Sequence, residues 1–460
     1  MTPPAQHPTP PAAQPLTRWR LSRFKPRLID DSRDLSRTRL GTDLAAGVTV
    51  GIVALPLAMA FAIASGLKPE QGLVAAVVGG FVISALGGSS VQIGGPAGAF
   101  IVVVSAIVAE HGVPGLWTAT LLSGVLMVFM GLLGLGRWVR RIPASVVAGF
   151  TNGIAVLIIL SQVKDLLGLQ GVAWPADFIH QLQTLAAHAG QWSGPSVILG
   201  CITFVGMLVW QGMWQDRHLL PQALVAGRAA RTVSRIPGAI VALVSTAAAT
   251  AWWDWPVQTL GTRFGSIPSF LPTPIWPLLP AVQWPSLLGP AATLALLGAI
   301  ESLLCARVAD ALIPQVQAHD PNQELMAQGL ANAAVPFFAG MPVTGTIART
   351  VTNVRSGGRT PWAGIAHAVT VLAIMVVAAP WCLLVPLPAL AGVLLFVAWN
   401  MGEWRDFVRV WAHHPWDRVM MLLTFTLTVV VDLGAALLLG IGLAVLRAWA
   451  ARGTGGPGPD

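Results

Sequence analysis

Apolar stretches follow one another almost without interruption from residue 43 to residue 450. Many of them reach the roughly 17–25 residues that an α-helix needs to cross the hydrocarbon core of a bilayer. Only 10% of all residues are charged, far below the roughly one quarter that is typical of soluble domains. A soluble fold this apolar would lack polar residues to cover its surface. We therefore expect an all-α, multi-spanning membrane protein embedded in a lipid bilayer.

The spacing of the apolar stretches predicts about fourteen transmembrane segments, of which the third and the tenth are short or interrupted. They lie near 43–65, 70–87, 94–110, 115–135, 143–161, 194–213, 237–254, 286–305, 324–339, 343–356, 361–380, 384–401, 417–432 and 434–450. A further stretch over 176–190 is amphipathic and is expected to lie along the membrane surface.

The placement of positive charge gives an orientation. A basic stretch over 18–39 precedes the first segment without the apolar region of a signal peptide. Arginines follow the even-numbered segments. The loops after the odd-numbered segments are nearly free of Lys and Arg, and their basic residues are Lys68, Lys164 and Arg263. Because basic loops stay in the cytoplasm, both termini are expected to be cytoplasmic in a bacterial-type inner membrane. Charge distributed between apolar segments in this way argues against nucleic-acid binding.

Two segments in corresponding halves are broken by Gly and Pro. The first reads Gly94-Gly95-Pro96-Ala97-Gly98-Ala99-Phe100 before an apolar run, and the second reads Gly340-Met341-Pro342-Val343-Thr344-Gly345-Thr346 before another. Both patterns are typical of helices that begin inside the membrane. A helix N-terminus exposes unpaired N–H groups and partial positive charge, and such broken segments indicate a transporter's binding site. The pattern therefore predicts an anion site within the bilayer.

The same positions divide the chain. We expect a cytoplasmic basic segment over 1–42, a first repeat over 43–255, an external Pro-rich linker over 256–285, a second repeat over 286–450 and a short cytoplasmic tail over 451–460. Seven segments in each repeat would place the two repeats in opposite orientations, so that they form an inverted repeat.

Several motifs resemble the sulfate permease family, also called solute carrier 26. They are Asp43-Leu44-Ala45-Ala46-Gly47, Ala54–Ala62, the stretch 88–100, Gly298–Leu304 and Arg349-Thr350-Val351-Thr352-Asn353. The resemblance covers 40–450 and implies a seven-plus-seven inverted repeat with core and gate domains, elevator-like alternating access and a homodimer. The family pattern normally continues into a cytoplasmic STAS domain after the last span. This chain departs from it there, so any dimer is expected to form through the membrane domain.

Glu301 lies within the apolar eighth segment. A carboxylate in the bilayer is costly and indicates function, although it could instead be a structural group bonded to backbone N–H groups. By similarity to bacterial members of the family, it would face the substrate site and couple transport to a proton or Na⁺. Cys305, one turn later, is a poor ligand for Na⁺, which prefers oxygen, and this favours the proton.

Arg349 lies in the second broken helix, where its guanidinium could hold an oxyanion in a fork. An ion pair with Glu301 or a snorkelling side chain are the alternatives. The resemblance places this arginine in the anion site of several relatives. Thr344, Gly345 and Thr346 would supply donors from one side and Ala97, Gly98 and Ala99 from the other. Phe61 and Phe100 would form walls of the site or belong to ordinary packing.

These residues predict a secondary active transporter of small anions, with sulfate, bicarbonate and a small dicarboxylate as candidate substrates. A nucleobase carrier of the same architecture is the first alternative, and Arg349 argues against it, since a neutral ring needs no such charge. A non-transporting membrane scaffold or sensor is the second. The sequence contains no nucleotide-binding loop, catalytic triad or metal-ligand cluster, so we expect no enzyme activity, cofactor or metal.

Overall fold

The computed structural model describes residues 22–33, 35–139, 143–172, 174–175, 177–215, 237–265, 271–276, 284–412 and 414–430, together with the single residues 439 and 442. The predicted fourteenth segment and the tail lie outside this part of the chain, so the count of fourteen stays a prediction.

The described chain is mostly helical, with two short strands. The α-helices are α1 Arg27–Asp31, α2 Arg37–Ala64, α3 Pro69–Val74, α4 Gly80–Leu86, α5 Ile101–Leu132, α6 Gly136–Val139, α7 Ala144–Leu167, α8 Phe178–Ala187, α9 Gly194–Trp210, α10 Gly238–Trp253, α11 Leu260–Phe264, α12 Trp284–Leu312, α13 Pro321–Ala334, α14 Ile347–Arg355, α15 Trp362–Cys382, α16 Leu387–Met401, α17 Trp404–Arg409 and α18 Pro415–Val430. The strands are β1 Gly94–Gly95 and β2 Thr344–Gly345. One π-helical turn, Ala75–Gly79, joins α3 to α4.

Seven helical stretches within the described residues are long and apolar enough to cross a membrane: Arg37–Ala64, Pro69–Leu86, Gly98–Leu132, Ala144–Leu167, Gly194–Trp214, Trp284–Leu312 and Trp362–Cys382. Helices also occupy the other predicted segments up to the thirteenth. The third and fourth run on within α5, which breaks direction at Gly112, where φ is 67° and the backbone is not helical. The multi-spanning, all-α class is thus confirmed.

Local sequence explains where several helices begin and end. The Asp320 side chain caps α13 by accepting from the N–H groups of Asn322 and Gln323 at 2.9 and 3.3 Å, and Pro321 fits the first helical position. Ser36 caps α2 through the Arg39 N–H at 3.2 Å. These caps replace hydrogen bonds that the first turn of a helix cannot form within itself.

The helices pack as two groups. The larger group contains α2–α5 and α12–α15, with extensive contacts between α5 and α13, between α5 and α12 and between α2 and α15. The smaller group contains α7, α9, α10, α16 and α18, in which α7 packs against α16 and α18. Each group contains helices from both predicted repeats. Inside the larger group, the two broken segments pair with each other although they come from distant parts of the chain.

The N-terminal residues lie against one end of the larger group. The N–H of Ser22 donates to the carbonyl of Leu132 at 3.0 Å, and the N–H of Arg27 donates to the carbonyl of Gly87 at 2.9 Å. The Arg27 guanidinium also donates to Gln317 at 2.6 Å. Residues 22–27 therefore lie near the ends of the second, fourth and eighth predicted segments, and the orientation of the chain in the membrane stays a prediction.

Candidate anion site

Two helix starts meet in the centre of the larger group. Strands β1 and β2 pair in antiparallel register, with Gly94 opposite Gly345 and Gly95 opposite Thr344. A side chain at Gly345 would overlap the Gln92 amide, and one at Gly95 would overlap the Arg349 guanidinium, so either would force these two side chains to move. The pairing places the chain leading into α5 beside the chain leading into α14, although about 250 residues separate them.

We call residues 94–104 the first arm and residues 344–355 the second arm. The first arm continues from β1 through a 3₁₀ turn, Gly98–Phe100, into α5. The second arm passes from β2 directly into the nine-residue α14, with Thr346 as its N-cap residue. The Thr346 N–H and hydroxyl both donate to the Ile93 carbonyl, at 3.0 and 3.1 Å. The second arm is thus fastened to the chain just before the first.

The buried residues of the two arms contact a shared wall. A Cβ added to Gly98 would lie 3.1 Å from Ile158 Cδ1 and 3.4 Å from Phe61 Cε1, so these side chains close over the first arm. The Phe100 ring lies against Gly298 of α12, and the Thr344 hydroxyl donates to the Gly298 carbonyl at 3.0 Å. Ala97 and Ala99 are also buried, each 2% exposed. The structure therefore brings together the residues that the sequence predicts from both arms.

Arg349 is 1% exposed, the largest side chain so deeply buried in the described chain. Its Nη1 and Nη2 atoms have no hydrogen-bond partner among the described residues, and the guanidinium lies against Gly95 of β1. No ion pair within the described residues joins it to Glu301. A buried guanidinium without a partner is unfavourable unless an anion or polar group completes it. Its position beside β1 puts that positive charge next to the start of both arms.

Glu301 lies on α12 one turn after Gly298, the residue that contacts both arms, and is only partly buried. Cys305, on the next turn, is fully buried, and its thiol donates to the Thr350 hydroxyl at 3.2 Å. The Thr350 hydroxyl also accepts from the Ile93 N–H at 3.0 Å. The thiol is therefore engaged with the second arm.

Three buried polar residues near the arms escaped the sequence analysis. Glu324 on α13 is 1% exposed and Asp43 on α2 is fully buried, so Glu301 is not the only acidic residue deep in the protein. Asp43 accepts from the Thr360 hydroxyl at 2.6 Å and from the Arg359 N–H at 2.7 Å. His367 on α15 is fully buried, with both ring nitrogens unpartnered. Asp43 and Glu324 each follow polar residues at the end of a predicted segment, so the sequence pattern does not predict that they are buried.

The described helices and their paired interior starts define a multi-spanning membrane transporter. The family model described as the sulfate permease family matches residues 40–424. YvdB of Bacillus subtilis, named as a candidate sulfate transporter, is 39% identical over 403 residues, which cover 87% of this chain and 72% of YvdB. BicA of Picosynechococcus sp., named as a bicarbonate transporter, is 30% identical over 413 residues. This match covers 87% of this chain and 69% of BicA.

Solved structures agree with this relationship. The transmembrane domain of a cyanobacterial bicarbonate transporter, BicA, matches with a TM-score of 0.73 and 29% identity, covering 90% of this chain and 98% of that one. Mouse solute carrier 26 family member A9, in its inward-facing state, shares the fold with a TM-score of 0.80 at 19% identity, covering 91% of this chain and 70% of that one. This chain belongs to the sulfate permease family, whose similar members are named as transporters of sulfate or bicarbonate and not as enzymes.

Proposed function

We propose that this chain is a secondary active transporter that binds a small oxyanion, sulfate or bicarbonate, between the first and second arms. The observation that carries the proposal is the antiparallel pairing of β1 and β2 next to the unpartnered guanidinium of Arg349. The helix starts contribute partial positive charge and Arg349 a full one, and both favour an anion over a neutral solute.

The small residues of the first arm complete the proposed site. The small side chains of Ala97, Gly98 and Ala99 would let an anion approach the backbone once Ile158 moves away from Gly98. Thr344 and Thr346 fix the start of the second arm beside it, since their hydroxyls donate to the carbonyls of Gly298 and Ile93, and Gly345 would offer backbone to the anion. Phe61 and Phe100 exclude water from either side of it. Exclusion of water strengthens every charged contact in such a site. Names of relatives, YvdB for sulfate and BicA for bicarbonate, support these two substrates.

Alternating access follows from the two helix groups. In this proposal the larger group is the core domain that carries both arms, and the smaller group is the gate domain against which it moves in an elevator-like manner. Ile158 of the gate lies over Gly98 of the core, so movement of one group past the other would uncover the site. The antiparallel register of β1 and β2 is what an inverted repeat produces. A homodimer would form through the membrane domain.

Glu301 is the proposed coupling residue, since its partly buried carboxylate lies on the helix that contacts both arms. A carboxylate within the bilayer is favourable when it carries a proton or holds a cation. The neighbouring Cys305 offers sulfur, which suits Na⁺ poorly, so proton symport is favoured. The pattern of basic loops supports cytoplasmic termini, and the bacterial relatives support a location in a bacterial inner membrane.

The test is uptake of labelled sulfate, bicarbonate and fumarate into liposomes containing the purified protein, with and without pH or Na⁺ gradients. We expect uptake of sulfate or bicarbonate that a proton gradient drives and that Glu301→Gln uncouples from pH. Glu110→Gln is the matched control, because the Glu110 side chain is 76% exposed. Uptake by Glu301→Gln at an unchanged rate and with unchanged pH dependence would remove Glu301 from coupling. No uptake of any anion by the unaltered protein would reject the proposed function.

A further inference from the structure

Helix α13 carries a stripe of polar side chains on one buried face. Glu324, Gln328 and Asn332 follow at intervals of four residues and are 1%, 0% and 2% exposed. Residues spaced in this way lie above one another on a helix. Burying three polar groups in a membrane protein is costly unless each is hydrogen-bonded. The partners of this stripe therefore indicate what it does.

At one end of the stripe, Asn332 holds the chain that leads into the second arm. Its side-chain oxygen accepts from the Val343 N–H at 2.9 Å, and its amide donates to the Val343 carbonyl at 2.8 Å. The amide group thus pairs with both polar groups of one backbone residue, as a neighbouring strand would. Val343 comes immediately before β2, so Asn332 fixes where the second arm begins.

At the other end, Glu324 holds the chain that leads to the first arm. Its Oε2 atom accepts from the Gly88 N–H at 2.9 Å, and the Gly88 carbonyl accepts from the Asp320 N–H at 3.1 Å. Gln328 donates to the Glu324 Oε1 atom at 2.9 Å, which keeps the carboxylate in place. One helix face is therefore bonded to both lead-in segments, which come from opposite halves of the chain.

The stripe also reaches the helix that carries Glu301. The Ser302 hydroxyl donates to the Glu324 Oε1 atom at 3.3 Å. Gln92, two residues before β1, donates to the same hydroxyl at 2.9 Å and lies against Gly345 of β2. Ser302, the neighbour of Glu301, is thus hydrogen-bonded to Glu324 of α13 and to Gln92, which packs against β2.

Backbone contact makes α13 a firm support for these bonds. A Cβ at Gly124 of α5 would lie 2.6 Å from the Gly329 carbonyl oxygen and 2.6 Å from the Ala333 N–H nitrogen. Only glycine permits helices α5 and α13 to approach so closely. The helix of the first arm and the helix that holds the second arm therefore pack directly together.

We infer that the polar stripe of α13 is the positioning device of the anion site: Asn332 and Glu324 set the two arms, and Glu301 beside Ser302, at fixed places relative to one another. This inference rests on the proposed anion site. In this scheme these residues contact neither the substrate nor the coupling ion. They act by holding the backbone of the two arms, which contacts the substrate. Loosening them should weaken anion binding while the fold persists, because a binding group displaced by about 1 Å loses much of its effect.

The test compares Asn332→Ala with Asn152→Ala. Asn152 is equally buried, but its amide donates only to Ala148 within its own helix, at 2.9 Å. We expect Asn332→Ala to raise the KM for sulfate or bicarbonate uptake by about tenfold and to speed hydrogen exchange of the amides over 343–350. The control should change neither measurement. An unchanged KM, or a raised KM without faster exchange over 343–350, would overturn the inference.

Two further variants keep the test decisive. If Asn332→Ala does not accumulate in the membrane, Asn332→Leu replaces it, because it keeps a side chain of similar volume and loses both hydrogen bonds to Val343; the same outcomes then apply. Arg349→Ala is measured in parallel. An unchanged KM in Arg349→Ala would reject the anion site itself, whereas faster exchange with unchanged KM in the Asn332 variant would reject only the positioning role.

Discussion

The first and second arms share a plan but differ in chemistry. The first passes through a 3₁₀ turn of small residues and Phe100 into α5, which is long and apolar. The second enters the short α14 at once and carries Thr344, Thr346, Arg349 and Thr350, all buried. The first arm therefore supplies space and apolar walls, and the second supplies charge and hydrogen-bonding groups. One architectural motif, used twice, can divide recognition into shape and charge.

The largest expected effect comes from removing the charge of the second arm. Arg349→Ala should weaken anion binding by roughly 10- to 150-fold, which corresponds to the loss of about 1.5–3 kcal/mol for a hydrogen bond to a charged group. Arg349→Lys should restore only part of it, because a point charge does not reproduce the guanidinium fork. Isothermal titration with purified protein measures both. Equal affinity in the unaltered and Ala proteins would show that the second arm does not bind through charge.

The second effect comes from the contact between the arms. Gly345→Ala would place a methyl group on the Gln92 amide, and such overpacking typically costs about 1–3 kcal/mol. We expect a lower melting temperature and loss of uptake in the same variant. Gly206→Ala in α9 is the control, since nothing lies within 4 Å of a Cβ there. Full stability and uptake in Gly345→Ala would mean that the strand pairing is not needed for the site.

A smaller effect tests the shape of the first arm. Gly98→Ala would bring a methyl group to 3.1 Å from Ile158 Cδ1, a fit that requires a shift of a few tenths of an ångström. The added methyl reduces the space for the anion and leaves the charge of the site unchanged. Uptake of sulfate, the larger anion, should therefore fall more than uptake of bicarbonate. The ratio of the two uptake rates should change about fivefold, which corresponds to about 1 kcal/mol. Competition between the two labelled anions measures this ratio. An equal loss for both would assign Gly98 to the fold and not to selectivity.

The smallest effect concerns Cys305, which is bonded to the second arm. Cys305→Ser can still donate to Thr350, so stability and proton-driven uptake should change by less than about 1 kcal/mol. Uptake by the unaltered protein should not respond to Na⁺. A requirement for Na⁺ in that protein would contradict proton coupling.

Much of this architecture can be predicted from the sequence, because it depends on local properties. The length and polarity of each apolar stretch predict a helix, and helices lie at the predicted third, fifth and eighth segments, among others. The broken segments predict two interior helix starts, Glu301 is conspicuous in an apolar segment, and Arg349 follows directly after the second break. Membership of the sulfate permease family, expected from the motifs, is confirmed.

Other expectations could not be decided from local pattern. A buried amide such as that of Asn152 could bond to a neighbouring helix or to its own, and in the structure it donates to the Ala148 carbonyl of its own helix. The three polar residues of the α13 stripe lie four residues apart, a spacing that would have predicted one shared face. Their partners at Gly88 and Val343 could not have been found, since the chain gives no local sign of which distant backbone groups need a donor or an acceptor.

The sequence by itself determined that this protein crosses the membrane, where Gly and Pro interrupt two of its segments and that Glu301 lies among apolar residues. Only the tertiary structure decided that β1 pairs with β2, that Arg349 lies against Gly95 with no ionic partner in the described part of the chain, and that α13 bonds to the lead-in segments of both arms. The physical reason is range. Helix formation and burial are read from neighbouring residues, whereas strand pairing and side-chain hydrogen bonds join groups more than 200 residues apart, and their geometry exists only once the helices have packed.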